Sequence, residues 1–574
     1  MKDTTRRNLL KVGAAGIAGL AATSRAAAQE ADMAGITTPD IASAEKLGGV
    51  TFTNVEREMM ASTIESQLEA IQQLRAIDKP NELAPALTFD PRLPGIAYET
   101  GLGENSLATS PVPERPLPSD EDDIAFAPVS QLAAWIKTRL ISSRALTDIY
   151  LSRIAALDPK LHAWVTVMPA RARSEADEMD AELASGHYRG PLHGIPYGLK
   201  DLFDAAGART TWGAKPYSDG PAKETDCTIV QKLKAAGAVL LGKTTCGALA
   251  YGDIWFDGVT RNPFDPREGS SGSSAGSASS VAAGLCGFAI GTETLGSLVS
   301  PSHRCGGSAL RPTFGRISRA GGMALCWSLD KVGPMARSVE DLAYVLHAIN
   351  GHDPHDAGSL PSGFSYAPKS DFSGLTLGFN EAWREGASEA ELTAFDRALS
   401  LGARVVDFKL PDLPADPLPQ QLLAEAAAAF EELTLGNRDD EMVWQDEEAW
   451  PNSFRAIRFL SGVDLIQVDR LRRRWMQDLH AAFDGIDIVV GPNFTSGLLT
   501  PTNFTGHPCL VMRAGFQETR GRTIHGGTDN PDAAPAQTPV AISLWAPHFR
   551  EADLIAFGAA LEAEIGVAAT RPAL

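Results

Sequence analysis

Residues 269–280 read GSSGSSAGSASS, and eleven residues later comes GTETLGS, residues 291–297. By composition alone the first stretch would pass for a flexible linker. Its surroundings argue otherwise, because VAAGLCGFAIG, residues 281–291, is small and apolar enough to be buried. The run reads as a buried helix from about Ser277 followed by a short strand, with Ser297 at the strand's end. Gly296 before that serine allows a tight approach of backbone and substrate, and successive N–H groups can point into one small space. A hydroxyl beside such a nest is what acyl transfer uses. Gly-Ser pairs are also common in plain turns, so this motif alone leaves both readings open.

A second stretch bears on the choice. In PLHGIPYGLKD, residues 191–201, Lys200 follows an apolar run bounded by glycine and proline. A lysine whose amine is desolvated can be partly neutral near pH 7 and accept a proton. The hydroxyls of the serine-rich stretch both donate and accept, which suits a proton relay.

HGIPYGLKD, GSSGSSAGSASSVAAGL and GTETLGS, in this order and spacing, resemble the signature of the amidase signature family. The likeness extends through Pro301 to Ala343, covers about residues 130–350, and continues more loosely around TPTNFTGHPCLV near the C-terminus. The resemblance implies an α/β fold, with a mixed twisted β-sheet core surrounded by α-helices. It implies a metal-independent amidase without cofactor, hydrolysing a carboxamide C–N bond through an acyl-enzyme. Carried over motif by motif, Ser297 is the nucleophile, Lys200 the base and Ser273 the bridging serine, which in the family commonly follows a cis peptide bond. The backbone N–H groups of Thr294, Leu295, Gly296 and Ser297 are the candidates for holding the oxyanion. His193 is the competing base, and the family pattern makes it structural. Three departures stand out: the family reads close to GTDTGGSIR, whereas this chain has Glu293, Leu295 and Val299 in place of aspartate, glycine and arginine.

The rest of the chain bounds the reading. The 574 residues carry a net charge of -20, which leaves no basic surplus for neutralising nucleic-acid phosphates. Arg6 and Arg7, a weak apolar stretch to Ala22 and small residues ending at Ala28 resemble a twin-arginine export signal, residues 1–28. That reading predicts a folded precursor taken by the export machinery to the periplasm, with no stable membrane insertion after cleavage. Residues 29–129 read as a helical and irregular extension, and 130–574 as the amidase domain, strongest at 191–343. Within it, Ser130 is expected to cap a helix in QLAAWIKTRL, and the sequence alternates helical and strand-like runs as an α/β core would.

The six cysteines lack the short paired spacings of a metal site and read as buried thiols, with a disulfide left open because spacing does not pair the partners. Among the aromatic residues, Trp255 and Phe256 in DIWFDG are expected to wall the pocket, giving a small-molecule amide substrate with an apolar acyl or amine group. The alternatives are an esterase, carbamate or oligoamide hydrolase on the same triad, an ammonia-transferring amidotransferase subunit, or a non-catalytic binding protein.

Overall fold

The computed structural model describes residues 35–522 and 530–574. The chain divides into two units, Met1–Pro80 with Phe459–Ser461, and Asn81–Arg458 with Gly462–Leu574. In the first, the described residues form helices Thr38–Gly48 and Asn54–Arg75, each opened by a threonine capping box. The export reading on Arg6, Arg7 and Ala28 lies outside the described residues. No helix among the described residues is long and apolar enough to cross a membrane.

The second unit is built on an eleven-stranded sheet. In chain order its strands are β1 (Trp164–Val167), β2 (Pro196–Lys200), β3 (Val239–Thr244), β4 (Phe288–Glu293), β5 (Ser308–Arg311) and β6 (Lys331–Ala336), then β7 (Thr376–Phe379), β8 (Arg404–Asp407), β9 (Ile488–Pro492), β10 (Cys509–Thr519) and β11 (Ala536–Trp545). Their spatial order is β8-β7-β9-β11-β10-β5-β6-β4-β2-β3-β1. Strand β2 runs parallel to both β3 and β4, while β4 with β6, β6 with β5, β5 with β10 and β10 with β11 pair antiparallel, so the sheet is mixed. The adjacent strands β4, β2 and β3 are buried at every position, as their near-continuous apolar runs require when both faces are covered.

The serine-rich stretch is core. Residues Ala275–Ala282 form a helix in which all eight residues are buried. Gly276 explains the composition: a Cβ there would lie 2.1 Å from the Ala163 carbonyl oxygen, so the helix backbone rests directly on its neighbours. The serines then replace side-chain bulk with hydrogen bonds. Ser277 Oγ donates to the Ile290 carbonyl at 2.9 Å and lies 2.8 Å from Thr244 Oγ1, tying the helix to β4 and β3. Small residues give close approach, and their hydroxyls satisfy the buried backbone.

Two sequence expectations need correcting. The helix Val129–Lys137 follows Pro128, and Ser130 lies inside it rather than at its cap. The buried Asp341 carboxylate instead accepts the Val129 and Ser130 amides at 2.8 and 3.1 Å, a contact spanning more than two hundred residues that local sequence does not show. Residues 81–129, read as extension, belong to the same compact unit as the signature segments. Asn105–Leu107, for example, pairs in parallel with Phe364–Tyr366.

Candidate active site

Lys200 ends β2, and Ser297 lies just beyond the end of β4, the strand alongside. The register pairs Tyr197, Gly198 and Leu199 with Phe288, Ala289 and Ile290, so the lysine and the chain approaching Ser297 emerge at the same edge. Lys200 is fully buried. Its Nζ lies 2.9 Å from Ser273 Oγ, 3.1 Å from Ser274 Oγ and 2.8 Å from Thr292 Oγ1. Hydroxyls solvate the amine, and no carboxylate forms an ion pair with it among the described residues. Burial therefore pushes the amine's pKa down, opposed by electrostatic interaction with Cys246, Asp330 and Glu293. A neutral amine in this setting can accept a proton from one of the hydroxyls around it.

The Gly272–Ser273 peptide is cis. Ser274, next in sequence, accepts the Thr292 amide at 3.1 Å and donates to the Thr292 carbonyl at 3.0 Å, which fastens the serine loop to β4. The Ser274 amide also donates to the Ser297 carbonyl at 3.3 Å, bringing the Ser273 and Ser297 segments side by side. Among the described residues the Ser273 and Ser297 hydroxyls are not hydrogen-bonded to each other. Ser274 and Thr292 are the amine contacts that sequence reading misses: nothing in the run of serines separates Ser274 from its neighbours, and Thr292 reads as an ordinary strand residue.

Between β4 and the helix Val299–Cys305, the loop Thr294–Ser297 turns at Gly296, whose φ is 87°. The amides of Leu295, Gly296 and Ser297 donate to no protein acceptor among the described residues, which leaves them to serve an oxyanion. Glu293 clips this loop shut from beneath. Its Oε2 accepts the Leu298 and Val299 amides at 2.8 and 3.0 Å, and its Oε1 accepts Arg311 Nη1 at 2.6 Å and Asn503 Nδ2 at 2.9 Å. Burial by itself would raise this carboxyl. The Arg311 charge and the hydrogen bonds from Arg311, Asn503 and Leu298 outweigh burial and hold it at about 2. Its stabilisation is therefore present above the ordinary glutamate value of 4.5 and is lost as pH falls toward 2. Glu293→Gln is expected to cost about 3 kcal/mol by leaving Arg311 buried without its counter-charge, read as a lower urea midpoint at neutral pH. An unchanged midpoint would show that the ion pair does not hold the loop.

The remaining departures are accommodated without removing any triad group. Leu295 is half-buried and stands in the cleft wall, and Val299 is buried where the family's arginine would be. His193 has the structural place expected of it: it is buried, its Nε2 lies 3.0 Å from the Met179 carbonyl, and desolvation lowers its pKa. Asp201 pairs at 2.7 Å with Lys243, both fully buried, rather than with Lys200. All six cysteines are free and buried.

Ser297 opens on a cleft of about 560 Å³. Trp255 and Phe256 do not line it, contrary to expectation. Trp255 is buried and packs edge-on against Phe256 at 4.9 Å, and the Phe256 amide is bound to the Gly213 carbonyl, so the pair packs as structure. The cleft's aromatic residues are Tyr251, Trp444 and Phe494. Tyr251 lies close in sequence to the expected pair, but Trp444 and Phe494 come from segments far along the chain that carry no motif. A second cavity, of about 510 Å³, includes Thr292 and Thr294 with the apolar side chains of Phe203, Met323, Leu325 and Trp327.

A mixed α/β sheet that gathers a buried lysine, a serine after a cis peptide and a serine beside a backbone nest defines a class of acyl-transfer enzymes. The model of the family described as Amidase matches residues 145–496, and the chain belongs to that family, the amidase signature enzymes. A glutamyl-tRNA(Gln) amidotransferase subunit of Anaeromyxobacter sp. (strain K) is 33% identical over 471 residues, spanning 76% of this chain and 96% of that protein. The structure of native peptide amidase from Stenotrophomonas maltophilia superimposes with a TM-score of 0.65 at 29% identity, covering 76% of this chain and 97% of that one. A bacterial aryl acylamidase shares the fold with a TM-score of 0.66 at 22% identity, covering 78% of this chain and 99% of that one.

Proposed function

We propose that the protein hydrolyses a carboxamide through an acyl-enzyme on Ser297, with Lys200 as the base and Ser273 relaying the proton. The observation that carries this reading is the desolvated Lys200 amine, held 2.9 Å from Ser273 Oγ and surrounded by hydroxyls. As Ser297 Oγ attacks the carbonyl carbon, its proton passes to Ser273 and that of Ser273 to Lys200. The amides of the Thr294–Ser297 loop take the developing oxyanion. The lysine proton returns through Ser273 to the leaving nitrogen as the C–N bond breaks, and water then releases the acyl group by the same relay. An apolar part of the substrate fits the second cavity, whose Phe203, Met323, Leu325 and Trp327 supply the aromatic and aliphatic surface. The same machinery serves esters and carbamates, which differ only in the groups flanking the carbonyl.

A second reading is that the released ammonia passes to a partner enzyme, and the 33% identity to an amidotransferase subunit over most of both chains favours it. The two readings differ in whether the chain turns over alone. Purified enzyme is expected to release carboxylate and amine in equal amounts from an amide panel without nucleotide, tRNA or any second protein. Turnover that requires a partner subunit would overturn the hydrolase reading in favour of ammonia transfer.

A further inference from the structure

The cleft beside Ser297 carries an unusual distribution of charge. Residues 438–448 read RDDEMVWQDEE, six carboxylates against Arg438 alone. Asp439 and Asp440 pair with Arg455, and Glu441 with Arg438, so these acids are neutralised locally. Asp446, Glu447 and Glu448 form no ion pair among the described residues, and Glu448 lines the cleft. Beside it, Tyr251 and Trp444 stack with their ring centroids 5.1 Å apart and 29° between planes, and both line the cleft. Tyr251, which Trp450 also contacts at a ring-centroid distance of 5.1 Å, remains 37% exposed despite the stacking.

Of the two guanidinium groups in the same cleft, Arg522 is fully engaged and Arg304 only by a long ion pair. Arg522 makes a two-pronged pair with the buried Glu268, at 2.8 and 3.0 Å, and Arg304 leans on the same carboxylate at 3.7 Å. His303 is held uncharged, its pKa pushed by burial and by Arg522 down to about 3. Asp253, also in the cleft lining, is buried and has no ion pair among the described residues, its carboxylate holding the Ser271 amide at 2.8 Å. With Glu268 behind them taken by Arg304 and Arg522, these two guanidinium groups face two further carboxylates on the lining, Asp253 and Glu448, neither of which forms an ion pair among the described residues. Aromatic faces beside an unpaired carboxylate are the recurrent means of binding an ammonium group, by attraction to the ring quadrupole together with the negative charge.

We propose that the cleft beside Ser297 selects amides bearing a cationic ammonium group, seated against Tyr251 and Trp444 and facing Glu448. This rests on the hydrolase reading, and it names the substrate class that reading leaves open. The apolar part is assigned to the second cavity and the charged end to the cleft.

The test uses a matched pair of anilides, one ending in trimethylammonium and the other in the uncharged tert-butyl group of the same shape. The cationic member is expected to show about a tenfold higher kcat/KM, carried by KM, and the advantage shrinks at high salt. Trp444→Leu combined with Glu448→Gln is expected to bring the two members within about twofold of each other. Equal kcat/KM for the pair would overturn the proposal, as would a preference that survives the double substitution. So would a higher kcat/KM for a third anilide ending in a carboxylate, which would place Arg304 and Arg522 in command of the cleft. Binding is measured separately on Ser297→Ala protein, titrated with choline and its neutral isostere 3,3-dimethylbutan-1-ol by tryptophan fluorescence. Choline alone should bind; equal binding, or none by either, overturns the cation site. If neither anilide is turned over, the hydrolase reading fails, and the choline titration still decides the cation site.

Discussion

Ser297→Ala protein loses turnover by at least about 10⁴-fold and no longer forms a covalent adduct with a fluorophosphonate probe. Ser297 is the hydroxyl in the cleft lining that also adjoins the unengaged amides of Leu295, Gly296 and Ser297. Ser273 and Ser274 are held behind it by Lys200 and Thr292. Neither can reach a carbonyl seated in the nest without breaking the contacts that hold the serine loop to β4. The substitution removes one hydroxyl oxygen from a nearly buried site, so the fold should persist. Intact-mass analysis of parent and variant after probe treatment is the measurement. Undiminished turnover in folded Ser297→Ala protein would refute the mechanism.

Lys200→Met protein is expected to lose about 10³-fold in kcat/KM, within the range general-base catalysis contributes. Methionine keeps most of the stem's volume, so the effect is chemical rather than a cavity. Two pH signatures separate a base from a structural lysine. In the parent, kcat/KM should rise with pH through the lowered pKa of the amine, because only the neutral form accepts the proton; the variant should lack that limb. Stability gives the second. With the folded-state pKa depressed, the unfolded chain binds more protons between that pKa and 10.5, so parent stability climbs with pH over this window. The methionine variant should lack this contribution. A rising limb that persists in Lys200→Met would assign the base elsewhere. Ser273→Ala should reduce turnover while sparing substrate binding, and its effect should not add to that of Lys200→Met, since both break one relay.

The three residues of the proposed triad stand out in the sequence because they sit in dense local motifs whose composition makes no sense on a surface. A lysine inside HGIPYGLKD and a serine-glycine run entering an apolar stretch both point inward, and the structure places both in the core. The strands β2, β3, β4, β7, β8 and β9 are likewise readable as short apolar runs. What local sequence does not show is contact between distant segments. Asp341 capping the helix at Val129 is one case, and the Tyr251–Trp444 pair in the cleft is another. The Trp255–Phe256 expectation fails for the same reason: an aromatic dipeptide near a motif says nothing about which way its rings turn once the chain around it is packed. The long pairing of β10 with β11 escapes a local reading because it joins residues as far apart as Cys509 and Trp545, and neither strand carries a motif.

The clip beneath the nucleophile loop has a consequence for the order in which the enzyme can come into being. Lys200, Ser273 and Ser297 all leave the ribosome within the first three hundred residues, but the groups that fix Glu293 and Arg311 do not. Asn503 completes the Glu293 carboxylate, while Thr502 and the His507 carbonyl receive Arg311, and these residues sit just before β10, which closes against β5. A nascent chain holding every catalytic residue thus lacks the parts that set the loop's shape until synthesis has passed His507. A chain ended by a premature stop before residue 502 would carry the full signature yet lack the Thr502, Asn503 and His507 groups that hold Arg311 and Glu293.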